Sequence, residues 1–460
     1  MDMRRITARK MNLRVIPVAL SLVAQLSCGK AADLTFRELP DAPQLIYQKG
    51  VPHTDASGRI QYALTSHSFF PRCAYETVPG SLAGLKDAGF NCFKPWYGLA
   101  LALALPEAHQ TGMQMLKEML LSVCDFSANP ACNPDANAAA QIAAYTSQIA
   151  SAASDPSILG WYIEEEPTGC INAPSTCRER FTNYVNFRAA IKSVDAIHPS
   201  FDLDIALPYA SALSIWNEMN STGDIAVNDD YPFHSGNENS LENSANNTSR
   251  LVALNHQQKP VWITVQAFAL AAATGMSWKM PTAAQLRAEV FAAIVHGATG
   301  IIYFAMDNWA SRNAQVLGIS AAPLASYPNH GSGDAVAKSS DIASSRALWN
   351  EAVSLNAELQ RLQSVILSPT ATPVYRVAVK NRAISSTPIR SLLKTSAEGV
   401  YTLLVVNIDN VPLTARFTLA TPPLGLHSID AAGSEHPIVS YGNSFTDSIE
   451  GFGIRIYQFR

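Results

Sequence analysis

Eight short apolar runs alternate with segments of helical period between residues 61 and 368, and a period-two pattern replaces them from residue 369 onward. Strand and helix signals in alternation build a parallel sheet wrapped by helices, and eight such units in about 300 residues predict a (β/α)8 TIM barrel. The period-two stretch, broken at short intervals by turn residues, predicts an appended all-β sandwich of about 90 residues. The chain thus divides into a leader at 1–31, a lead-in segment at 32–60, the barrel at 61–368 and the sandwich at 369–460.

The expected barrel strands are Phe69–Tyr75, Asn91–Tyr97, Gly112–Lys117, Leu159–Glu164, Phe201–Leu207, Asp224–Asp229, Val261–Ala267 and Gly300–Ala305. Between them, Phe181, Tyr184, Val185, Ala189 and Val194 form one helical stripe, and Leu286, Val290, Ile294 and Gly297 form another. The third strand is ambiguous, because Gly112–Val123 also fits a helix. A last helix over Ser344–Ile366 carries Leu348, Ala352, Leu355, Leu359, Leu362 and Ile366 at spacings of three and four, and Ser368-Pro369-Thr370 ends it. Sandwich strands follow at Val374–Ala378, Tyr401–Val406, Ala415–Leu419 and Ile454–Phe459.

Charged residues make up 15 % of the 460 and the net charge is −4, so there is no basic footprint for nucleic acid. A hydrophobic content of 48 % is that of a core-rich globular chain. At the N-terminus, Arg4, Arg5, Arg9, Lys10 and Arg14 precede the apolar run Val15–Ala24, which is too short to span a bilayer. With small residues at Gly29 and Ala31, this reads as a signal peptide cut after Ala31, complete even if Met11 is the true start. A secreted or periplasmic protein follows. Lipid anchoring through Cys28 is disfavoured because Gln25 stands where an aliphatic residue is wanted.

Of seven cysteines, Cys28 falls in the leader and six remain. An even number in an exported chain points to disulfides. Cys124 with Cys132 and Cys170 with Cys177 would each close a short loop, leaving Cys73 with Cys92. No Cys-x-x-Cys or His-x-x-x-His spacing supports a metal site, and nothing demands an organic cofactor.

The active end of a (β/α)8 enzyme is the C-terminal end of its strands. Strand 4 runs into Glu164-Glu165-Glu166-Pro167, where three adjacent acids shift one another's pKa and the proline stops the strand. Strand 2 ends in Lys94-Pro95-Trp96, strand 6 in Asp229-Asp230-Tyr231-Pro232, strand 7 in Gln266, and strand 8 in Met306-Asp307-Asn308-Trp309. Aromatic faces stack on the C–H surfaces of sugars while carboxylates and amides bind hydroxyls, so the expected ligand is a carbohydrate. Trp161 and Trp262 lie within strands and read as core; His67 and His234 read as local hydrogen-bonding residues. For Asp229 and Asp230 the bland alternative is loop capping or a structural calcium pair. Lys94 is as well placed to neutralise the acids as to touch substrate, and Tyr303 is open between core and site.

These motifs resemble those of the clan A glycoside hydrolases, (β/α)8 enzymes with an acid/base glutamate at the end of strand 4. Glu166-Pro167 matches their Glu-Pro, with Glu165 where they usually carry Asn. Asp229-Asp230-Tyr231-Pro232 looks like the Asp-x-Tyr-Pro element of related barrels, and His296–Phe304 like the passage into strand 8 of galactosidase-like ones. The terminal Gly453–Tyr457 resembles their C-terminal sandwich. The resemblance spans about residues 60 to 460 and implies hydrolysis of O-glycosidic bonds, with Glu166 as general acid. It also implies a strand-7 glutamate nucleophile. Gln266 stands in that place, and no Asp or Glu occurs between Glu242 and Glu289.

The second carboxylate is therefore sought elsewhere: Asp229 first, then Asp230, with Asp307, Glu164 and Glu165 behind. A base two strands from Glu166 would leave the wider gap of an inverting mechanism. Glu164, Glu165, Tyr231, Gln266, Tyr303, Asp307 and Lys94 are the expected substrate contacts, with Trp96 and Trp309 as stacking platforms. A retaining enzyme with its nucleophile elsewhere, or a barrel that binds sugar without cleaving it, are the alternatives.

Overall fold

The structure, a computed structural model, describes residues 39, 41–48, 51–64, 69–96, 98–121, 138–172, 174–272, 277–307, 309–310, 314–319, 339–372, 375–380 and 387–460. Eight parallel strands close into a barrel: β1 (Arg72–Thr77), β2 (Cys92–Pro95), β3 (Gln114–Glu118), β4 (Ile158–Glu165), β5 (Ser200–Ile205), β6 (Ala226–Asp229), β7 (Val261–Gln266) and β8 (Gly300–Phe304). Each strand pairs with its neighbours in sequence, and β8 closes the ring on β1 through Ile301↔Arg72 to Tyr303↔Ala74. The eight expected strands are all present. The ambiguous third is a strand because Gly112, at φ 65°, ends the helix Leu101–Thr111 in a left-handed turn and releases the chain into Gln114–Glu118.

Both faces of these strands are covered, which explains their nearly continuous apolar sequence. Cys73, Tyr75, Cys92, Leu116, Tyr162, Phe201, Leu203, Val227, Trp262 and Ile302 fill the interior, while Phe93, Met115, Trp161, Ile163, Ile263, Val265, Ile301 and Tyr303 meet the helices. The Trp262 ring lies so close to Gly300 that a Cβ there would come within 2.6 Å of it. Only glycine fits.

The helices are α1 (Leu82–Asp87), α2 (Leu101–Thr111), α3 (Ala138–Ala152), α4 (Pro174–Val194), α5 (Leu213–Asn220), α6 (Glu242–Leu254), α7 (Ala283–Val295) and α8 (Ser339–Ile366). A capping box starts α7, with Thr282 accepting from Gln285 N and the Gln285 side chain accepting from Thr282 N. Helix α8 begins five residues ahead of the expected Ser344, and its expected stripe is buried. Short strands at Gln44–Leu45 and Tyr62–Ala63 pair beneath the barrel, where the Gln44 amide donates to Thr299 O at 3.0 Å.

After α8, two antiparallel sheets stack face to face. One holds Tyr375–Val379, Leu413–Leu419 and Ser444–Ile449; the other holds Ile389–Thr395, Tyr401–Asn407, Ile454–Phe459, His427–Ile429 and Glu435–Pro437. Tyr375, Val377, Phe417, Phe445 and Tyr457 form the core between them. The five-stranded sheet turns Leu392, Leu404, Val406 and Ile456 toward the helices of the barrel, and Leu241 N donates to Ile408 O at 2.8 Å.

Two disulfides are present among the described residues. Cys73–Cys92 joins register partners on β1 and β2 inside the barrel, and Cys170–Cys177 closes the loop after β4. Cys124 and Cys132 lie outside the described residues. No helix among the described residues is long and apolar enough to cross a membrane.

Candidate active site

The three glutamates that end β4 have three different surroundings. The pairing of β4 with β5 shifts register between Tyr162 and Glu164, so the alternation of faces is reset just before the acids. Glu164 is buried against Arg180 of α4 at 2.7 Å. Glu165 instead joins the barrel interior, where the hydroxyls of Tyr75 (3.1 Å) and Tyr162 donate to the same carboxylate oxygen. Glu166 turns at φ 42°, a left-handed conformation that residues other than glycine rarely adopt, and part of the residue is exposed at the rim. Glu166 N donates to Leu203 O at 2.7 Å, and Pro167 then opens a 3-10 turn that the Cys170–Cys177 bond ties to α4.

Asp229, at the end of β6, is buried, and its carboxyl lies close enough to that of Glu166 for each to shift the other's pKa. Burial, then the charges of Glu166 and Glu165, push Asp229 well above the usual carboxylate range, against a hydrogen bond from Tyr231. Burial also raises Glu166, with Arg180 and Asp229 opposing. Burial and the neighbouring Glu166 lift Glu165 to about 8, while Lys94 and Tyr162 hold it back.

Lys94 is 2 % exposed and pairs with Glu76 at 2.6 Å and with Glu118, its ammonium 4.5 Å over the Tyr75 ring. Burial alone would lower its pKa; the two glutamates overcome that and hold it charged. It neutralises the floor of the site. Above it, Tyr231 stacks on Phe304 at 5.5 Å and meets Phe268 edge-on at 4.9 Å, and Tyr75 meets Phe304 at 5.0 Å. The Trp278 indole donates to Tyr231 O at 3.1 Å. The result is a carboxyl cluster framed by aromatic rings at the C-terminal end of the barrel.

The structure thus brings together Glu165, Glu166, Asp229, Tyr231 and Lys94, with Glu164 behind them. Others fall elsewhere. Asp230 faces away toward α6, beside Ser244 and Thr248. The Gln266 side chain is consumed by backbone: Oε1 accepts from Phe233 N at 2.9 Å and Nε2 donates to Lys279 O at 2.8 Å. Tyr303 is fully buried between strand and helices, edge-on to Phe90 at 5.3 Å, and Asp307 is buried past β8. Trp96 is half-buried at the end of β2; the side chain of Trp309, and His67, lie outside the described residues. Trp161 and Trp262 are core, and His234 rests edge-on to Trp278.

Tyr75, Tyr162, Glu76, Glu118, Arg180, Phe268, Trp278 and Phe304 are not legible in the sequence as site residues. Only Tyr75 carries a signal, because counting by twos back from Thr77 places it in the interior, whereas the register shift before Glu164 hides Tyr162. Among the described residues, no group of three or more His, Cys, Asp or Glu is arranged to hold a metal ion.

No protein-family model and no curated protein matches the sequence. The fold is similar to that of a family 39 glycoside hydrolase from the gut symbiont Bacteroides cellulosilyticus WH2, with a TM-score of 0.52 at 9 % identity over 89 % of this chain and 83 % of that one. It is equally similar to a beta-galactosidase from Bacillus circulans sp. alkalophilus, with a TM-score of 0.52 at 9 % identity over 85 % and 99 % of the two chains. At such identity the likeness establishes the barrel fold.

Proposed function

We propose that this protein is an exported glycoside hydrolase in which Glu166 and Asp229 are the working carboxyl pair. The observation that carries the reading is the convergence of the two carboxyls at the barrel mouth, where each shifts the other's pKa and aromatic rings frame them. Glycoside hydrolysis needs a division of labour: one carboxyl gives a proton to the leaving oxygen and the other acts as an anion. The similarity of fold to two glycoside hydrolases supports it by analogy. The apolar leader and the two disulfides support export.

A retaining pair stands about 5–5.5 Å apart and an inverting pair roughly 6.5–9.5 Å, and Glu166 and Asp229 are close enough to shift each other's pKa, which lies nearer the retaining spacing. That proximity favours double displacement over the single displacement that the two-strand separation suggests. In the reactive state Glu166 carries the proton and Asp229 is the anion. Glu166 then protonates the glycosidic oxygen while the Asp229 carboxylate attacks the anomeric carbon, forming a glycosyl ester and releasing the aglycone. Glu166, now anionic, takes a proton from water, which cleaves the ester and returns Asp229. Protonated Glu165 and the Tyr231 hydroxyl bind sugar hydroxyls, and Tyr231, Phe304 and Trp96 offer stacking faces. Lys94 and Glu164 act from beneath, through their ion pairs.

The test is incubation of the mature protein with a panel of oligo- and polysaccharides, with product anomers followed by NMR. Products that retain configuration support the reading. Binding with no product from any member would support a carbohydrate-binding barrel instead.

A further inference from the structure

Behind the strands, a line of buried polar side chains connects the turn that carries Glu166 to the strand that carries Asp229. Thr168, two residues past Glu166, donates to Asp204 of β5 twice, from its N–H at 2.9 Å and its hydroxyl at 2.5 Å. Asn220, at the end of α5, donates to the same carboxylate at 2.7 Å. Asn228, the residue before Asp229, donates to Asn220 Oδ1 at 2.7 Å, and Asn247 of α6 donates to Asn228 Oδ1 at 2.9 Å. Leu207 N closes the line on Asn247 Oδ1 at 3.2 Å. All five side chains are at most 4 % exposed.

The line has a direction. Every amide donates toward Asp204, and backbone contacts pin that order: Asn220 also donates to Trp216 O at 2.9 Å and Asn228 to Val227 O at 3.2 Å. Reversing the amides would set Asn247 Nδ2 against Leu207 N, donor against donor. Asp204 accepts four hydrogen bonds, the fourth from Ile205 N at 2.9 Å, and donates none. It is the acceptor that terminates the line.

We propose that Asp204 is a positioning residue that, through Thr168 on one side and Asn220–Asn228 on the other, sets the contact between Glu166 and Asp229. The proposal rests on the reading of those two carboxyls as the catalytic pair. Asp204 touches neither substrate nor reacting atoms. Glu166 sits in a left-handed backbone conformation, and the two Thr168 bonds, together with Glu166 N on Leu203 O, hold its turn down on β5. An acceptor-only group is required, because an amide at 204 can satisfy Thr168 N and Ile205 N only by presenting its own N–H to the Asn220 amide.

The experiment compares the wild type, Asp204→Asn and the double variant Asp204→Asn/Asn220→Asp. In the double variant the carboxylate introduced at position 220 accepts from both the new amide at position 204 and Asn228, so the line regains complementary order at the cost of the bond to Trp216 O. Asp204→Asn should lower kcat about ten- to hundredfold, as small misplacements of reacting groups do, with KM within about twofold. The double variant should recover part of kcat. A merely structural Asp204 would lower the melting temperature of Asp204→Asn and leave kcat, measured well below it, unchanged; that result overturns the proposal, as does a double variant no better than the single. Crystal structures of the wild type and Asp204→Asn give a readout independent of substrate. A lengthened Glu166–Asp229 contact is expected, and an unchanged one refutes the positioning role even if the glycosidase reading itself were to fail.

Discussion

Glu165 and Tyr162, three residues apart on β4, are hydrogen-bonded side chain to side chain although strict alternation would place them on opposite faces. The register shift between Tyr162 and Glu164 makes this possible, and it decides which of three adjacent glutamates enters the barrel mouth. Glu164 is committed to Arg180, Glu165 to two tyrosines, and Glu166 to Asp229.

Glu166→Gln keeps the shape and removes the dissociable proton. Activity on natural glycosides, which have poor leaving groups, should fall about 10²–10⁴-fold. Aryl glycosides with activated leaving groups should suffer less. Steady-state kinetics on both substrates check this, and near wild-type rates on the natural one would remove Glu166 from the acid role.

From sequence alone, Gln266→Ala should weaken substrate binding. The Gln266 amide instead joins the loop at Phe233 to the backbone at Lys279, so the cost should appear in folding. Chemical denaturation should show a loss of about 1–3 kcal/mol, the cost of leaving buried backbone groups unpaired. Activity of the folded variant should persist. A stable but inactive Gln266→Ala protein would return the residue to the chemistry.

Glu165 gives a pH dependence with a definite sign. Its folded pKa, about 8, lies above that of an unfolded glutamate, so between roughly pH 4.5 and 8 the folded state holds a proton that the unfolded state does not. Stability therefore declines as pH rises through that window and levels off above it. Glu165→Gln cannot ionise and should flatten part of the decline, read from melting temperatures between about pH 5 and 9. It should also weaken the alkaline limb of activity. Unchanged profiles would mean that Glu165 ionises as an ordinary carboxyl.

The Cys170–Cys177 bond ties the turn after Glu166–Pro167 to α4, which also supplies Arg180. The Cys170→Ser/Cys177→Ser variant should lose activity more than melting temperature, because the rim loosens while the barrel core is untouched. Peptide mapping without reduction should find this pair linked, together with Cys73–Cys92 and Cys124–Cys132. Equal loss of activity and stability would make the bond a general staple.

The barrel is legible in the sequence because strand and helix periods survive averaging over a whole element. The ends of elements are not. The sequence ranks Asp229 ahead of Asp230 but keeps both, and alternation sends the first to the mouth and the second toward α6. Gln266 lies at the right strand end, but its partners come from two loops distant in sequence. The sequence leaves Tyr303 and Lys94 between core and site; the structure gives Tyr303 to the core and Lys94 to the ion pairs beneath the acids. Arg180 lies on a helix with no local cue, since only the folded path of α4 brings it to Glu164.

The central claim is that Asp229 and Glu166 divide nucleophilic and acid–base work. Its most direct test is to incubate the protein with a panel of 2-deoxy-2-fluoro glycosyl fluorides and map the labelled peptide by mass spectrometry. The account predicts a glycosyl ester on Asp229, formed faster than it is hydrolysed. Labelling of any other carboxylate, or hydrolysis with inversion and no ester, would contradict it.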